Sequence, residues 1–399
     1  MLRLDRHIAS LDGVRGAAIL AVIVYHAGRG LTYTGSHEQI VQQLVGIGWI
    51  GVDLFFVLSG FLITGILLDS KGSERYFRTF YGRRALRIFP LYFVFVAAIL
   101  WVVPLLRLIG PDDAARLHAS QPWYWTYTVN ALVARGGWAM TPWHTGHLWS
   151  LSVEEQFYLL WPAIVLVTAR RTLIKVSFGI VVGVALLRAI VVAAAGPSLG
   201  IYVMLPTRMD ELALGAALAG LAREPQAWRA VSRWTAPAAV LSAGVLLVMV
   251  RRQLLMPTNG PSEVVGYVAL ACLSGALLVG ALNARKALIV WENPALRFLG
   301  RYSYGMYMWH QLTIAELQRH VAPGRLPVIG GSHLPGNALF VLVALVTTIA
   351  VALLSWHMIE YPFLKLKTLL PYRKRSENAA PARVLPAEVN DSSQRPISI

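Results

Sequence analysis

Stretches of about 20 predominantly apolar residues recur along the whole chain, and at 1.5 Å per residue that is the length at which an α-helix crosses the hydrocarbon of a bilayer. Ten such stretches stand out, at roughly 10–28, 47–68, 88–106, 148–168, 174–195, 204–222, 235–250, 263–283, 302–318 and 338–359. Hydrophobic residues make up 56% of the 399 and charged residues only 14%, so the sequence predicts an all-α, polytopic integral membrane protein. Trp123 to Val133 is shorter and more polar, and is expected to be an interfacial or re-entrant piece rather than an eleventh span.

A net charge of +16 would suit a nucleic-acid partner if it lay along one soluble face. Here the basic residues lie between apolar stretches, so they are read as topology signals and no nucleic-acid partner is expected. If Trp123 to Val133 does not cross, most of the 36 Lys and Arg residues fall in alternate loops: the N-terminus, 69–87, 169–175, 223–234, 284–301 and 360–399. By the positive-inside rule those loops and both termini are cytoplasmic, in a protein integral to the cytoplasmic membrane. The expected organisation is a membrane domain over 1–368 and a short disordered tail, rich in Pro, Ala and Ser, over 369–399. Arg15 interrupts the first apolar run and no A-x-A site follows it, which argues against a cleaved signal peptide. The single Cys272 excludes an intrachain disulfide and a cysteine-based metal site.

Ionisable residues inside membrane spans are expensive and tend to mark function. Arg15 and His26 share the first span, and eleven residues place them roughly 16 Å apart on the same helical face. Snorkelling to the two membrane surfaces would also account for them. Span directions bring His26, Asp53, His147, Glu154, Glu155, Arg208 and Asp210 to similar depth, which predicts one shared polar cavity around His26. At the cytoplasmic side, Arg75, Arg78, Arg83, Arg84 and Arg87 alternate with Tyr76, Phe77, Phe80 and Tyr81. An anchor to anionic lipid is one reading; guanidinium forks gripping the phosphates of a nucleotide-like donor is the other.

These residues fall within segments that resemble the membrane-bound acyltransferase-3 family, which includes bacterial O-acetyltransferases. LDGVRGAAILAVIVYH at 11–26, GVDLFFVLSGFLIT at 51–64, FYGRRALRIFPLY at 80–92, HLWSLSVEEQFYLLWP at 147–162, RMDELALG at 208–215 and LGRYSYGMYMWH at 299–310 are similar to its motifs and occur in the same order. The resemblance implies acyl transfer, with acetyl the expected group, from acyl-CoA at the cytoplasmic side to a hydroxyl of a carbohydrate or glycosylated acceptor. It matches His26 to the essential family histidine, Arg15 to its basic partner, Arg83, Arg84 and Arg87 to the arginine motif and Glu154 to the acidic position. Many members carry a further extracytoplasmic domain, so transfer is expected to be completed either by the membrane part or by a separate protein.

Acyl transfer to an alcohol needs a base for the hydroxyl proton and donors for the developing oxyanion. An imidazole suits the first task near neutral pH, so His26 is the expected base, with an acyl-histidine as the covalent alternative. Glu154 and Asp53 are the candidate carboxylates to orient it. Arg15, Arg83, Arg84 and Arg87 are the candidate donor-binding residues, with the donor's extended arm bridging the distance to His26. No tightly bound cofactor and no metal are expected: His144 and His147 form only a weak pair of ligand candidates, His310 has no acid on its own helix, and Ser59 and Ser152 read as packing or hydrogen-bonding groups rather than nucleophiles. Ten spans with buried charges also fit a transporter or flippase for a lipid-linked or glycosylated solute, although no convincing internal repeat supports it.

Overall fold

The computed structural model describes residues 8–142, 145–283, 289–321 and 323–371. The expected tail lies outside the described residues from 372 onward, as does His144.

The described chain is an all-α bundle whose only β feature is the isolated bridge between Ile329 and Ser332. In chain order the principal helices are α1 (Ala9–Gly28), α2 (Ser36–Gly46), α3 (Gly51–Asp69), α4 (Tyr76–Ala97), α5 (Pro111–Trp125), α6 (Val129–Gly136) and α7 (Leu148–Val167). They continue with α8 (Arg170–Ala195), α9 (Leu205–Leu221), α10 (Pro225–Arg251), α11 (Tyr267–Asn283), α12 (Pro294–Arg301), α13 (Ser303–His320) and α14 (Leu334–Ser355).

Seven helical stretches are long and apolar enough to cross a membrane, fewer than the ten spans expected from sequence. The difference falls on α7, α9 and α13, which are too short or too polar by that measure. α9 is buried along nearly its whole length and α13 over most of its first half, where a polar group meets other side chains rather than lipid, while α7 turns Leu159, Leu160 and Val167 outward. The contrast is plain in α3, whose apolar window is 78% buried, and α8, where the figure is 11%. Trp123 to Val133 divides between α5 and α6, which meet at Tyr127 in a left-handed conformation (φ 54°); neither helix is long enough to span.

Small residues let the central helices approach closely. A Cβ on Gly60 of α3 would lie 1.9 Å from the carbonyl oxygen of Leu212 on α9, and one on Gly215 would lie 2.1 Å from that of Val57. Gly13 and Gly16 of α1 face the 291–296 backbone just as tightly, at 1.7 and 1.9 Å. In a membrane, where lipid is as apolar as leucine, such close packing is a main source of helix association. Gly60→Ala is therefore expected to lower stability by about 1–3 kcal/mol through forced separation of α3 and α9, read as a lower melting temperature in detergent.

The loops sort to two ends. At one, Arg223 bridges Asp69 (2.6 Å), Arg170 bridges Glu224 (2.7 Å) and Lys71 donates to the carbonyl of Thr168 (2.6 Å). The hydrogen bond from Arg170 holds the Glu224 carboxyl below its ordinary range. At the other end, Glu38 accepts from the Thr34 amide (2.7 Å), the Ser332 hydroxyl (2.8 Å) and the His333 amide (2.7 Å), tying α2 to the loop before α14.

Candidate functional site

A cavity of about 260 Å³ opens between α1, α3, α4, α7 and α13. Its wall carries three guanidiniums: Arg15 from α1 and, one helical turn apart on α4, Arg84 and Arg87. Arg15 also bonds Asp12 at 3.4 Å. Glu154 of α7 answers them as part of a short chain of hydroxyls: Tyr158 donates to Glu154 Oε2 (3.1 Å) and is itself hydrogen-bonded to Ser59 of α3. The Arg84 guanidinium lies 4.3 Å from the centre of the Tyr158 ring, within cation–π range. Between these polar groups the wall is apolar, with Val52, Phe55, Leu58, Leu62 and Ile63 from α3.

At its other end the cavity is bounded by Ser150 and Tyr307, which are hydrogen-bonded to each other. Tyr307 also donates to the carbonyl of His147 (2.9 Å). Its ring packs 5.4 Å from that of His310 and 5.5 Å from that of His147, and His310 in turn meets His26 edge-on at 4.8 Å. Three histidines from α1, α13 and the turn before α7 thus form one cluster behind Tyr307. The Nδ1 of His26 is 2.8 Å from the Val22 carbonyl, and that of His310 is 2.7 Å from the Tyr307 carbonyl. A carbonyl can only accept, so in the neutral rings both Nδ1 atoms carry the hydrogen and both Nε2 atoms carry the lone pair. The backbone thus fixes Nε2 as the accepting nitrogen of each ring without a carboxylate.

A separate ionic network lies behind the cavity wall. Arg208 of α9 bonds Asp53 of α3 (2.8 Å) and Glu211 (3.3 Å), while Arg188 of α8 bonds Asp210 (2.7 Å) and the Thr207 carbonyl (2.8 Å). All of these side chains are at most 1% exposed. Arg208 is ringed by Tyr267 at 4.4 Å, Tyr202 at 5.4 Å and Phe56 at 5.7 Å. Phe56 also lines the cavity.

Comparison with known proteins matches an acyltransferase domain to residues 8–357. The chain belongs to that family. Relatives of this acyltransferase domain include a protein of Staphylococcus aureus (strain COL) named "Putative O-acetyltransferase", 29% identical over 388 residues, covering 90% of this chain and 58% of the relative. Peptidoglycan O-acetyltransferase OatA of Listeria monocytogenes is 29% identical over 378 residues, covering 90% and 56%. The chain thus spans little more than half the length of these curated relatives. No solved structure matches it significantly.

The single polar cavity expected around His26 resolves, in this acyltransferase domain, into three groups. His147 joins His26 through His310. Glu154 joins Arg15 and Arg84 instead, because it lies seven residues, or about 10 Å, farther along α7 than His147. Asp53 joins Arg208, as the carboxylate of a buried pair. Among the arginines, Arg15, Arg84 and Arg87 meet in one cavity, whereas Arg83 is absent from its wall: it donates to the carbonyls of Lys367 (3.1 Å) and Leu370 (2.9 Å), on the opposite side of the Arg84 step. Successive residues on a helix point about 100° apart, so adjacent arginines cannot serve one site equally.

Sequence reasoning set His310 aside and left Tyr307 and Ser150 unassigned. A signal was present: Ser303, Tyr307 and His310 recur at helical spacing on α13, as do His147, Ser150, Glu154 and Tyr158 along α7. Its own helix carries no acid beside His310, and the histidines that meet it, His26 and His147, come from other elements. Ser59 and Ser152, read as packing or hydrogen-bonding groups, each make a hydrogen bond: Ser59 with Tyr158 on the cavity wall, and Ser152 to the Leu148 carbonyl of its own helix at 3.1 Å. Among the described residues no group of three His, Cys, Asp or Glu side chains is arranged to hold a metal ion.

Proposed function

We propose that this protein is a membrane O-acetyltransferase that moves an acetyl group from an acetyl-CoA-type thioester to a hydroxyl of a carbohydrate acceptor. One observation carries the reading: a single cavity has three guanidiniums at one end and, at the other, a tyrosine packed directly against the histidine cluster. Guanidinium forks suit the phosphates of the donor. The apolar middle suits the uncharged arm that carries the thioester, and the roughly 16 Å along α1 from Arg15 to His26 matches an extended molecule gripped at one end and reacting at the other.

In this reading the arginine end is cytoplasmic, since the loops gathered there carry Arg75, Arg78, Arg170, Arg171, Arg223 and Arg229. Both termini then lie in the cytoplasm and the histidine end faces the opposite side of the cytoplasmic membrane, where a carbohydrate is presented. The name of the Listeria relative supports a cell-wall glycan as the acceptor class. His26 takes the acceptor's proton at Nε2. Glu154 belongs to the donor end, where it offsets part of the charge of Arg15 and Arg84 and holds Tyr158 in place.

The test is turnover by the purified protein in sealed vesicles, with labelled acetyl-CoA at the arginine-rich face and a glycan acceptor at the other. Label appearing in the acceptor as an ester supports the reading; transport of a solute with no thioester consumed rejects it in favour of a carrier. Arg84→Ala is expected to raise the donor KM by roughly ten- to a hundred-fold, the loss of a charge-assisted hydrogen bond of about 1.5–3 kcal/mol, with the acceptor KM unchanged. Arg83→Ala is expected to leave the donor KM near the wild-type value.

A further inference from the structure

The mechanism above has a base and a donor grip but no group to stabilise the negative charge that develops on the thioester oxygen. We propose that the hydroxyls of Ser150 and Tyr307 form that oxyanion site. The inference rests on the transferase reading and adds the two residues that would touch the reacting oxygen.

Position is the first argument. Of the cavity's hydroxyls, Tyr158 is committed to Glu154 (3.1 Å) and to Ser59, and Tyr304 to the Ile88 carbonyl (2.7 Å), all toward the arginine half. Ser150 and Tyr307 stand where the cavity meets the histidines, only 5% and 7% exposed. One ring separates Tyr307 from His26, because His310 packs on both. A carbonyl bound beside Ser150 and Tyr307 would therefore lie at the end of the donor arm next to the histidine cluster, with His310 the ring between Tyr307 and His26.

Hydrogen-bond capacity is the second. The two hydroxyls and the His147 carbonyl form a closed triangle, with Tyr307 donating to the carbonyl at 2.9 Å and Ser150 within 3.3 Å of it. Three acceptor oxygens share two hydrogens, so one hydrogen can turn to an incoming oxygen while the other keeps Tyr307 fixed. Buried donors held in advance are worth most when charge appears in a water-poor site. Ser150 also lies in the first turn of the 20-residue α7, where the partial positive charge of the helix end favours an anion.

The step balances as follows. The acceptor oxygen bonds to the thioester carbon as its proton passes to His26 Nε2, and the carbonyl electron pair moves onto oxygen, where the hydrogen released from the Ser150–Tyr307 pair donates to it while the other hydrogen holds the pair in place. Collapse breaks the carbon–sulfur bond, and the proton on His26 goes to the departing sulfur, leaving an ester and free thiol.

The experiment compares full-length purified wild type with Tyr307→Phe, Ser150→Ala, Ser150→Thr and the double variant Tyr307→Phe/Ser150→Ala. Tyr307→Phe keeps the ring that packs on His147 and His310, and melting curves identify any variant that is merely misfolded. Expected is a fall in kcat of about 10²- to 10³-fold for removal of a donor, with donor KM within about twofold of wild type, partial recovery in Ser150→Thr, and a double variant less impaired than the product of the singles. A matching loss of affinity for S-acetonyl-CoA, which keeps a carbonyl, but not for CoA itself, is also expected. Unchanged kcat in folded Tyr307→Phe and Ser150→Ala overturns the proposal, as does a loss that resides in KM alone. If the wild type turns over and His26→Ala does not while these variants remain fully active, only the oxyanion site fails; if the wild type consumes no thioester, the transferase reading fails and takes this site with it.

Discussion

His26→Ala is expected to lower acetyl transfer by about 10²- to 10⁴-fold while leaving the melting temperature of the purified protein close to wild type, the range a positioned general base contributes. Stability should be largely kept because the ring is only partly buried and its Nδ1 hydrogen bond is to a carbonyl already engaged in the α1 helix. His26→Gln makes the test sharper. Glutamine can donate to the Val22 carbonyl and fill much of the same space, but it cannot accept and pass on a proton, so it is expected to be as slow as alanine. A glutamine variant retaining more than a tenth of wild-type turnover would remove His26 as the base and shift that role to His310, whose Nε2 also carries a lone pair. His310→Gln under the same assay separates the two.

Arg208→Met is expected to be the most destabilising single change in the bundle. It leaves the carboxylates of Asp53 and Glu211 buried without their counter-charge, and breaking a buried pair from one side costs about 3–5 kcal/mol. That is a large part of the 5–15 kcal/mol that typically holds a domain together, so folded yield as well as melting temperature in detergent should drop. Adding Asp53→Asn to Arg208→Met is expected to recover part of the loss, because it removes one of the stranded charges; a loss in the double variant well below the sum of the two separate losses is the sign of direct coupling. If instead Arg208→Met melts like wild type while transfer collapses, the network serves the chemistry and not the fold. A comparable change in the exposed pair Arg116–Asp113 should have little effect on melting, since water screens both partners.

The two predictions separate chemistry from architecture along a line that sequence patterning drew only in part. Apolar stretches of membrane-spanning length announced an all-α bundle because lipid forces each span to satisfy its own backbone, and that demand is local to the segment. Arg15 and His26 could be placed on one face of one helix for the same reason: both lie on α1, so helical periodicity alone sets their relation. The arginines of α4 were legible as a group, although the 100° step between Arg83 and Arg84 sends one to the 367–370 backbone and the other into the cavity.

Which charges meet across helices was settled by packing. Asp53, Glu154 and Arg208 lie at related depths, and depth is all that a span-by-span reading can assign. The close approach of α3 and α9 at Gly60 and Gly215 brings Asp53 to Arg208, while the rotation of α7 turns Glu154 to Tyr158 and the arginines. Likewise His310, on α13, becomes the neighbour of His26 only because α1, α7 and α13 converge there. Residue type and spacing along one helix therefore determined the fold class, most of the spans and which polar groups share each helical face. The pairing of those groups was decided by the tertiary structure, because it depends on how far helices separated in sequence rotate and how closely they approach, and that is set by many side-chain contacts at once.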